Sequence, residues 1–369
     1  MAERTTLNQT IQIGKETTEG TAVAATKQMA AMSIEPSPNT EVDTFRPAGQ
    51  KFSAFTTLGK EWVQANVSGK ATYTELVYPL ASICPMQDNN SGTPTNWTSA
   101  TPIDSDAGSA GDFGESGWSS GDGTAKGWNF YSQPTGNDTW VTYTVEHGDS
   151  VRADEFAGAV FTELGLSFSR SGVDLSGAIM GRALDDGITM TPSLSQVDLV
   201  PILPTQTSVY LHDSADFTSG TPTLLTRVVS VDWNLGSRFG PVWPLNAALG
   251  NAYAATIETE PDLSMNLTME ADGQGMAFLE SYLRTSTRAW LRIECATATE
   301  IETGIEYRLT IDTAVEVQDT GGFSDSEGLQ TIDWSFTGVN DTTWGGEAGG
   351  GTNSARAFNI ALINDIAAL

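Results

Sequence analysis

The chain has 369 residues, with 46 aspartates and glutamates against 18 lysines and arginines and a formal net charge of −28. That length suffices for two or three domains, each with its own core. A surface of this sign repels nucleic-acid backbones and anionic membranes, which argues against sequence-specific DNA recognition, and no run of eighteen apolar residues offers a membrane-spanning helix. Only six of the bases are lysine. Scarce lysine beside excess acid also suits concentrated salt, where repulsion is screened, and points to a halophilic source. Cys84 and Cys295 sit in or beside apolar runs far apart in sequence, so buried thiols are expected rather than a bridge. MAERTTLNQT at the N-terminus lacks the basic-then-apolar order of a signal peptide, and synthesis in the cytoplasm is expected.

In chain order, residues 1–31 are polar and small and read as an N-terminal arm that orders against something else. Strands begin at Ser33, and Pro36, Pro38 and Pro47 predict a long loop over Pro36 to Lys60. EWVQANVSG alternates, with Val63, Ala65 and Val67 on one face, and TELVYPLASI places Leu76, Leu80 and Ile83 at helical spacing before Pro85 stops the helix. Residues 85–138 are dominated by Gly, Ser, Thr and Asp with isolated tryptophans, among them Trp97, Trp118 and Trp128, and read as a surface insertion without a core. Strands resume with Val141, Tyr143 and Val145. Val160, Leu164, Leu166 and Phe168 then share a face, and Ser171-Gly172 marks a hairpin.

A Pro- and Leu-rich connector over 191–206 is too apolar to be a free linker. Beyond it, Leu263, Met265, Leu267 and Met269 oppose Ser264, Asn266, Thr268 and Glu270, and the run from Tyr307 to Val317 alternates in the same way. Half-buried antiparallel strands give this pattern. GMAFLESYLRT supplies a second short helix, and TIDWSF a last strand. After Trp344 a Gly-rich tether leads into an apolar C-terminal tail, in which Phe358, Ile360, Leu362 and Ile366 are expected to dock on this chain or a neighbour.

The middle of the chain reads as a restart. Ser33, Ile34, Glu35 and Pro47 recur 197 positions later as Ser230, Val231, Asp232 and Pro244. Gln9 to Thr21 faces Thr207 to Thr221; Val63, Ala65 and Val67 face Met265, Leu267 and Met269; Leu76 and Leu80 face Leu279 and Leu283 at an offset of 203. The offset then falls to 150, where Thr139 faces Ala289, so the first copy carries about 53 extra residues. The expectation is an internal duplication, with a first domain over 32–190 that contains the insertion and a second over 207–344.

Catalytic constellations are absent from this pattern. His147 and His212 are the two histidines, each read as a loop residue without a nucleophile elbow or H-E-x-x-H motif, and Asp185-Asp186 reads as a turn former. Asp104, Asp106 and Asp112 are weak candidates for calcium, because DSDAGSAGDFGE lacks the spacing of an EF-hand loop. No enzyme activity, cofactor or resident metal is expected.

IGKETTEGTAVAATKQM, FRPAGQ, TYTELVYPL and FAGAVFTELGLSFSRSGVDLSGAIMGRAL resemble the major tail tube proteins of long, non-contractile-tailed viruses. LLTRVVSVDWNLGSRFGPVWPLNAALG and IETEPDLSMNLTMEADGQGMAFLESYL resemble the later part of larger members. The resemblance implies two tandem β-sandwich or β-barrel domains, each with a short flanking helix, plus extended N- and C-terminal arms. It also implies rings that stack into a hollow tube in the virion tail. Single-domain relatives form six-fold rings, so a duplicated chain would close a pseudo-six-fold ring with three copies. Phe45, Arg46, Pro47, Trp243 and Pro244 would anchor ring to ring. The partners implied are the chain itself, tape-measure protein and tail tip or terminator proteins, with DNA passing through an acidic lumen without specific binding, and no membrane. A different reading of the same composition is a halophile surface-layer or adhesin-type β protein that binds calcium.

Overall fold

The computed structural model describes residues 8–87, 95–97, 118–119, 124–132, 138–212, 222–342 and 356–369. The chain is mainly β. Its first half contributes β1 (Thr10–Lys15), β2 (Lys27–Gln28), β3 (Met32–Phe45), β4 (Phe55–Lys70), α1 (Val77–Ile83), β5 (Met86–Gln87), β6 (Thr95–Trp97), β7 (Trp118–Ser119), β8 (Lys126–Phe130), β9 (Tyr143–Gly148), β10 (Ala153–Ser169), β11 (Gly172–Gly181) and β12 (Asp185–Ile188). The second half contributes β13 (Thr207–His212), β14 (Thr223–Leu224), β15 (Val228–Gly236), β16 (Phe239–Val242), β17 (Ala255–Glu258), β18 (Asp262–Glu270), α2 (Gly273–Phe278), β19 (Ala289–Glu302), β20 (Ile305–Ser326), β21 (Leu329–Gly338) and β22 (Phe358–Asn364).

Period-two alternation decides which faces are buried. In β4, Val63, Ala65 and Val67 are buried while Gln64, Asn66 and Ser68 are exposed. In β18, Leu263, Met265, Leu267 and Met269 are buried in the same way. Following the ladders, the strands run β3-β4-β11-β10-β15-β18-β21-β20, antiparallel throughout. The apolar face of this eight-stranded sheet carries the core. In the first half, Met32, Ile34 and Ile179 from the sheet meet Ile13, Tyr143 and Val145 from a second layer, with Tyr78 of α1 beside them. In the second half Phe278 of α2 packs on Trp334 and Phe336, with ring centroids 5.8 and 5.7 Å away.

The second layers branch from the two longest strands. The first part of β10 pairs with β9 on one side and β12 on the other; β9 carries β1, and β1 carries β2. The first part of β20 pairs with β19 and β22; β19 carries β13, and β13 carries β14. The strand order of the first half therefore recurs in the second. Register breaks between Phe156 and Ala159 in β10, and between Val317 and Asp319 in β20, bend each long strand where it passes between layers.

The ladders also fix residue equivalences. Ser169 and Gly172 flank the β10–β11 turn as Ser326 and Leu329 flank the β20–β21 turn, a spacing of 157. Carried across the ladders, that spacing sets Ile34 against Val231 at 197 and Val67 against Leu267 at 200. Val67 thus corresponds to Leu267, not Met269 as the sequence comparison has it; a two-residue slip keeps the same face and leaves no trace in the alternation. Through β10 and β20, Tyr143 corresponds to Ala289, which moves the expected offset of 150 to 146.

Other expectations shift as well. The loop expected over Pro36 to Lys60 is a hairpin, paired from Met32↔Gly69 to Phe45↔Phe55. Its prolines are tolerated because β3 has no strand on its other side among the described residues. Pro36 and Pro38 lie two apart, so both ring nitrogens face that open side and the β4 ladder keeps its bonds. The end of the 85–138 insertion is not a surface excursion: β8 pairs with β22, and Trp128 and Phe130 are buried. His147 and His212 lie in β9 and β13 rather than loops, and Asp185-Asp186 opens β12, where Asp186 accepts from Arg152.

Candidate functional site

The outward face of the eight-stranded sheet is polar and made of short side chains. One row across it reads Ser33, Ser68, Ser176, Gly165, Asn234, Ser264, Thr337 and Glu316. The next reads Lys70, Asp174, Ser167, Asp232, Asn266, Ser335 and Asp319, and on the other flank lie Glu35, Asn66, Ala178 and Glu163. Ten of these positions, Ser33, Glu35, Asn66, Ser68, Lys70, Glu163, Ser176, Asp232, Asn266 and Asp319, are exposed. Lys70, the one cation in these rows, is held by Asp174 at 2.5 Å. No arginine fork stands in them to grip a phosphate. The arrangement offers hydrogen-bonding hydroxyls and amides under the negative potential of its acids, with most side chains short.

Long side chains at the upper end of the face belong to a connection from the second half. Residues 237–261 fold over the first half, pairing β16 with β17. Trp243 meets Trp62 and Tyr253 at 5.9 and 5.8 Å, and Trp62, Met180 and Trp243 help line a cavity of about 340 Å³. Tyr253 donates to the Gly158 carbonyl, and Arg182 donates to Ala254 and Gly20. Arg238 is fully buried and holds Asp138 at 2.5 Å, Glu258 at 3.0 Å and the Ser132 hydroxyl at 3.1 Å. Burial pushes the Glu258 carboxyl up, with Arg238 opposing the shift.

The N-terminal segment is tied down by carboxylates as well as by burial of Ile13, Ala25 and Met29. Glu16 accepts from the Gly20 and Gly158 amides and the Thr142 and Thr144 hydroxyls. Glu75 accepts from the amides of Ala30 and Ala31, and Glu146 from those of Ala25 and Thr191. Each satisfies amide donors that a segment without secondary structure would otherwise leave unpaired. A sequence offers no sign of these roles, because a buried glutamate looks like any other.

Of the residues expected to join ring to ring, Phe45, Arg46 and Pro47 stand together at the end of the β3–β4 hairpin. Phe45 stacks on Phe55 at 5.2 Å, Arg46 donates to the Gln50 carbonyl, and Gly49 takes φ +80° in the turn. Val42, Phe52 and Leu58 are exposed beside them. Trp243 and Pro244 lie elsewhere, Trp243 half-buried against its own chain and Pro244 exposed beside Leu245. Phe358, Ile360 and Leu362 are buried in β22 between β20 and β8, Ile366 is half-buried, and the Trp128 indole donates to Asn364 at 2.9 Å.

Asp104, Asp106 and Asp112 lie outside the described residues. Among the described residues no group of three or more His, Cys, Asp or Glu could hold a metal ion, and no helix is long and apolar enough to cross a membrane. Both cysteines are buried and unbridged, and burial pushes each thiol up to about 12. No protein-family model matches the chain, and no curated protein is significantly similar to it in sequence.

Proposed function

We propose that the chain is a structural virion protein, the tail tube subunit of a long-tailed virus, and that three copies close a ring with pseudo-six-fold character. Rings stack into a hollow tube, and the polar sheet face lines the channel through which the genome passes. The observation that carries this reading is the strand order repeated in the two halves and joined edge to edge into one sheet with one acidic face. A unit that joins its own second copy side by side, and repeats the operation with other chains, generates a closed ring when the rotation closes. Short polar side chains and acids repel a polyanion and give it no site at which to dwell, whereas each lysine contact to a phosphate would add attraction and release counterions.

In this reading the two halves are copies of one ancestral domain. The hairpin bearing Phe45, Arg46 and Pro47 reaches toward the next ring, as does the exposed end of the 237–261 connection at Pro244. An apolar hairpin end with Phe45, Phe52 and Phe55 on view needs such a cover. Tape-measure protein inside the tube, and tip and terminator proteins at its ends, are the other partners. No catalytic step and no cofactor enters.

Negative-stain images of the purified full chain at high salt test this. Stacked rings or tubes with a central channel are expected. Calcium-dependent flat sheets would instead favour a surface-layer lattice, and a stable monomer at every salt and protein concentration would sink both.

A further inference from the structure

The two halves meet at one joint, where β10 pairs with β15 from Leu164↔Leu235 to Ser169↔Ser230. In the repeated order β20 stands where β10 stands, and β3 where β15 stands. From Val317 to Ser326, β20 is paired with β21 alone among the described strands, and β3 with β4 alone. Phe323 occupies the place of Leu166, since Ile332 opposite it corresponds to Leu175. Leu166 is 1% exposed and Phe323 60% exposed, so the free edge shows apolar surface that the internal joint covers.

We propose that β20 of one chain joins β3 of a second copy in the register of the internal joint, and that Pro36 and Pro38 make this the weak, assembly-controlled seam. The inference rests on the ring reading. Ser326 of one chain then lies opposite Ser33 of its neighbour, as Ser169 lies opposite Ser230, and Ser324 lies opposite Glu35, as Ser167 lies opposite Asp232.

The prolines occupy the positions of Trp233 and Leu235, both inside the internal joint. Across the matching stretch of β3 the ring nitrogens face the seam, which removes two donors while leaving the carbonyls. Edge prolines are a known device against unwanted sheet extension. Charge acts in the same direction: a chain with a net charge of −28 repels its own copies, a repulsion that salt screens. The internal joint forms on folding, whereas the seam waits for high salt and for contacts elsewhere on the ring.

A double-cysteine variant, Ser33→Cys with Ser326→Cys, reads the register directly, because the native thiols are buried. With the odd residues of β3 bonded toward β4, this pair falls at a non-hydrogen-bonded site, where side chains stand closest. Mild oxidation of assembled protein should give dimer and trimer bands without reductant, and Ser33→Cys with Leu329→Cys should not. Pro36→Val with Pro38→Val restores two donors. Sedimentation should show assembly at about tenfold lower protein concentration, from two added hydrogen bonds of ordinary net strength. Rings without the cross-link overturn the seam and leave the ring reading standing. Cross-linked open oligomers without rings support the seam and overturn the ring. If the proline variant folds and assembles no more readily than the parent, the controlling role of the prolines falls, and if it does not fold, the cross-link alone decides the register.

Discussion

Arg238→Met is the most informative single change in the body of the chain. The guanidinium is fully buried, within 2.5 Å of Asp138 and 3.0 Å of Glu258, the two acids being 7% and 26% exposed at the side chain. Methionine keeps much of the apolar volume over Phe239 but strips two carboxylates of their shared counter-charge. Removing one partner of a buried ion pair costs about 3–5 kcal/mol, most of it from the charge left behind. Because Arg238 ties the 237–261 connection to residues 132 and 138, the loss should appear first as local opening of that connection, about a thousandfold more frequent than in the parent. Amide exchange over residues 239–258 and the urea midpoint report it. The sign of the pH effect follows from Glu258, whose carboxyl burial already raises. Without Arg238 the charged form is disfavoured further, so the variant regains stability as pH falls and Glu258 takes up a proton. Arg238→Met with Asp138→Asn should recover at least half of the deficit. A single variant within 1 kcal/mol of the parent, or a deficit that grows on acidification, refutes the reasoning.

Ile360→Ala, at a fully buried position of β22, should cost about 2–5 kcal/mol in denaturant unfolding, and loss of less than 1 kcal/mol would mean that the C-terminal strand is not part of the folded body. Cys84 and Cys295, with thiols pushed up to about 12 by burial, should stay unmodified by a disulfide reagent at pH 8 and both react once the chain is unfolded; fast labelling of the folded protein would contradict their placement. The Glu155 carboxyl is raised by burial first and then by Glu146, Asp185 and Glu16, so the native state holds its proton more tightly than the unfolded chain does. Stability therefore falls as pH rises through the window from the ordinary glutamate value to the raised one, and Glu155→Gln should be more stable at neutral pH by a few tenths of a kcal/mol after solvent screening, with no gain below about pH 4. A gap that opens at acid pH instead would reverse that sign.

How far the sequence could be read depends on what each signal encodes. Alternation in VQANVSG and LSMNLTM fixes strands and their buried faces, because a pleat exposes every second residue whatever it pairs with. It does not fix register to within two residues, so alternation alone allows Val67 against Met269 where the ladders place it with Leu267. Prolines were the misleading signal in β3. Pro36 and Pro38 break a strand only if their nitrogens face a partner, and whether they do is a property of the sheet's edge, not of the local sequence. The polar face was half legible: Ser264, Asn266 and Thr268 show that one side is wet, but not that β3, β4, β11 and β10 continue the same side across β15.

Composition and periodicity by themselves determined a β-rich, acidic chain with short helices at two matching places and thiols in apolar surroundings. Those properties depend on transfer free energy and on a side-chain period of two, both of which act locally. The tertiary structure decided what the local rules leave open. It made Arg238 and Glu16 interior, because partners a hundred or more residues away pair with them. It turned the end of a Gly-rich insertion into β8 by setting β22 beside it, and it left β3 and β20 as the two long edges of one sheet. Which edges stay open follows only after every other strand has found its neighbour, since pairing is non-local and each ladder is closed by residues far away in the chain.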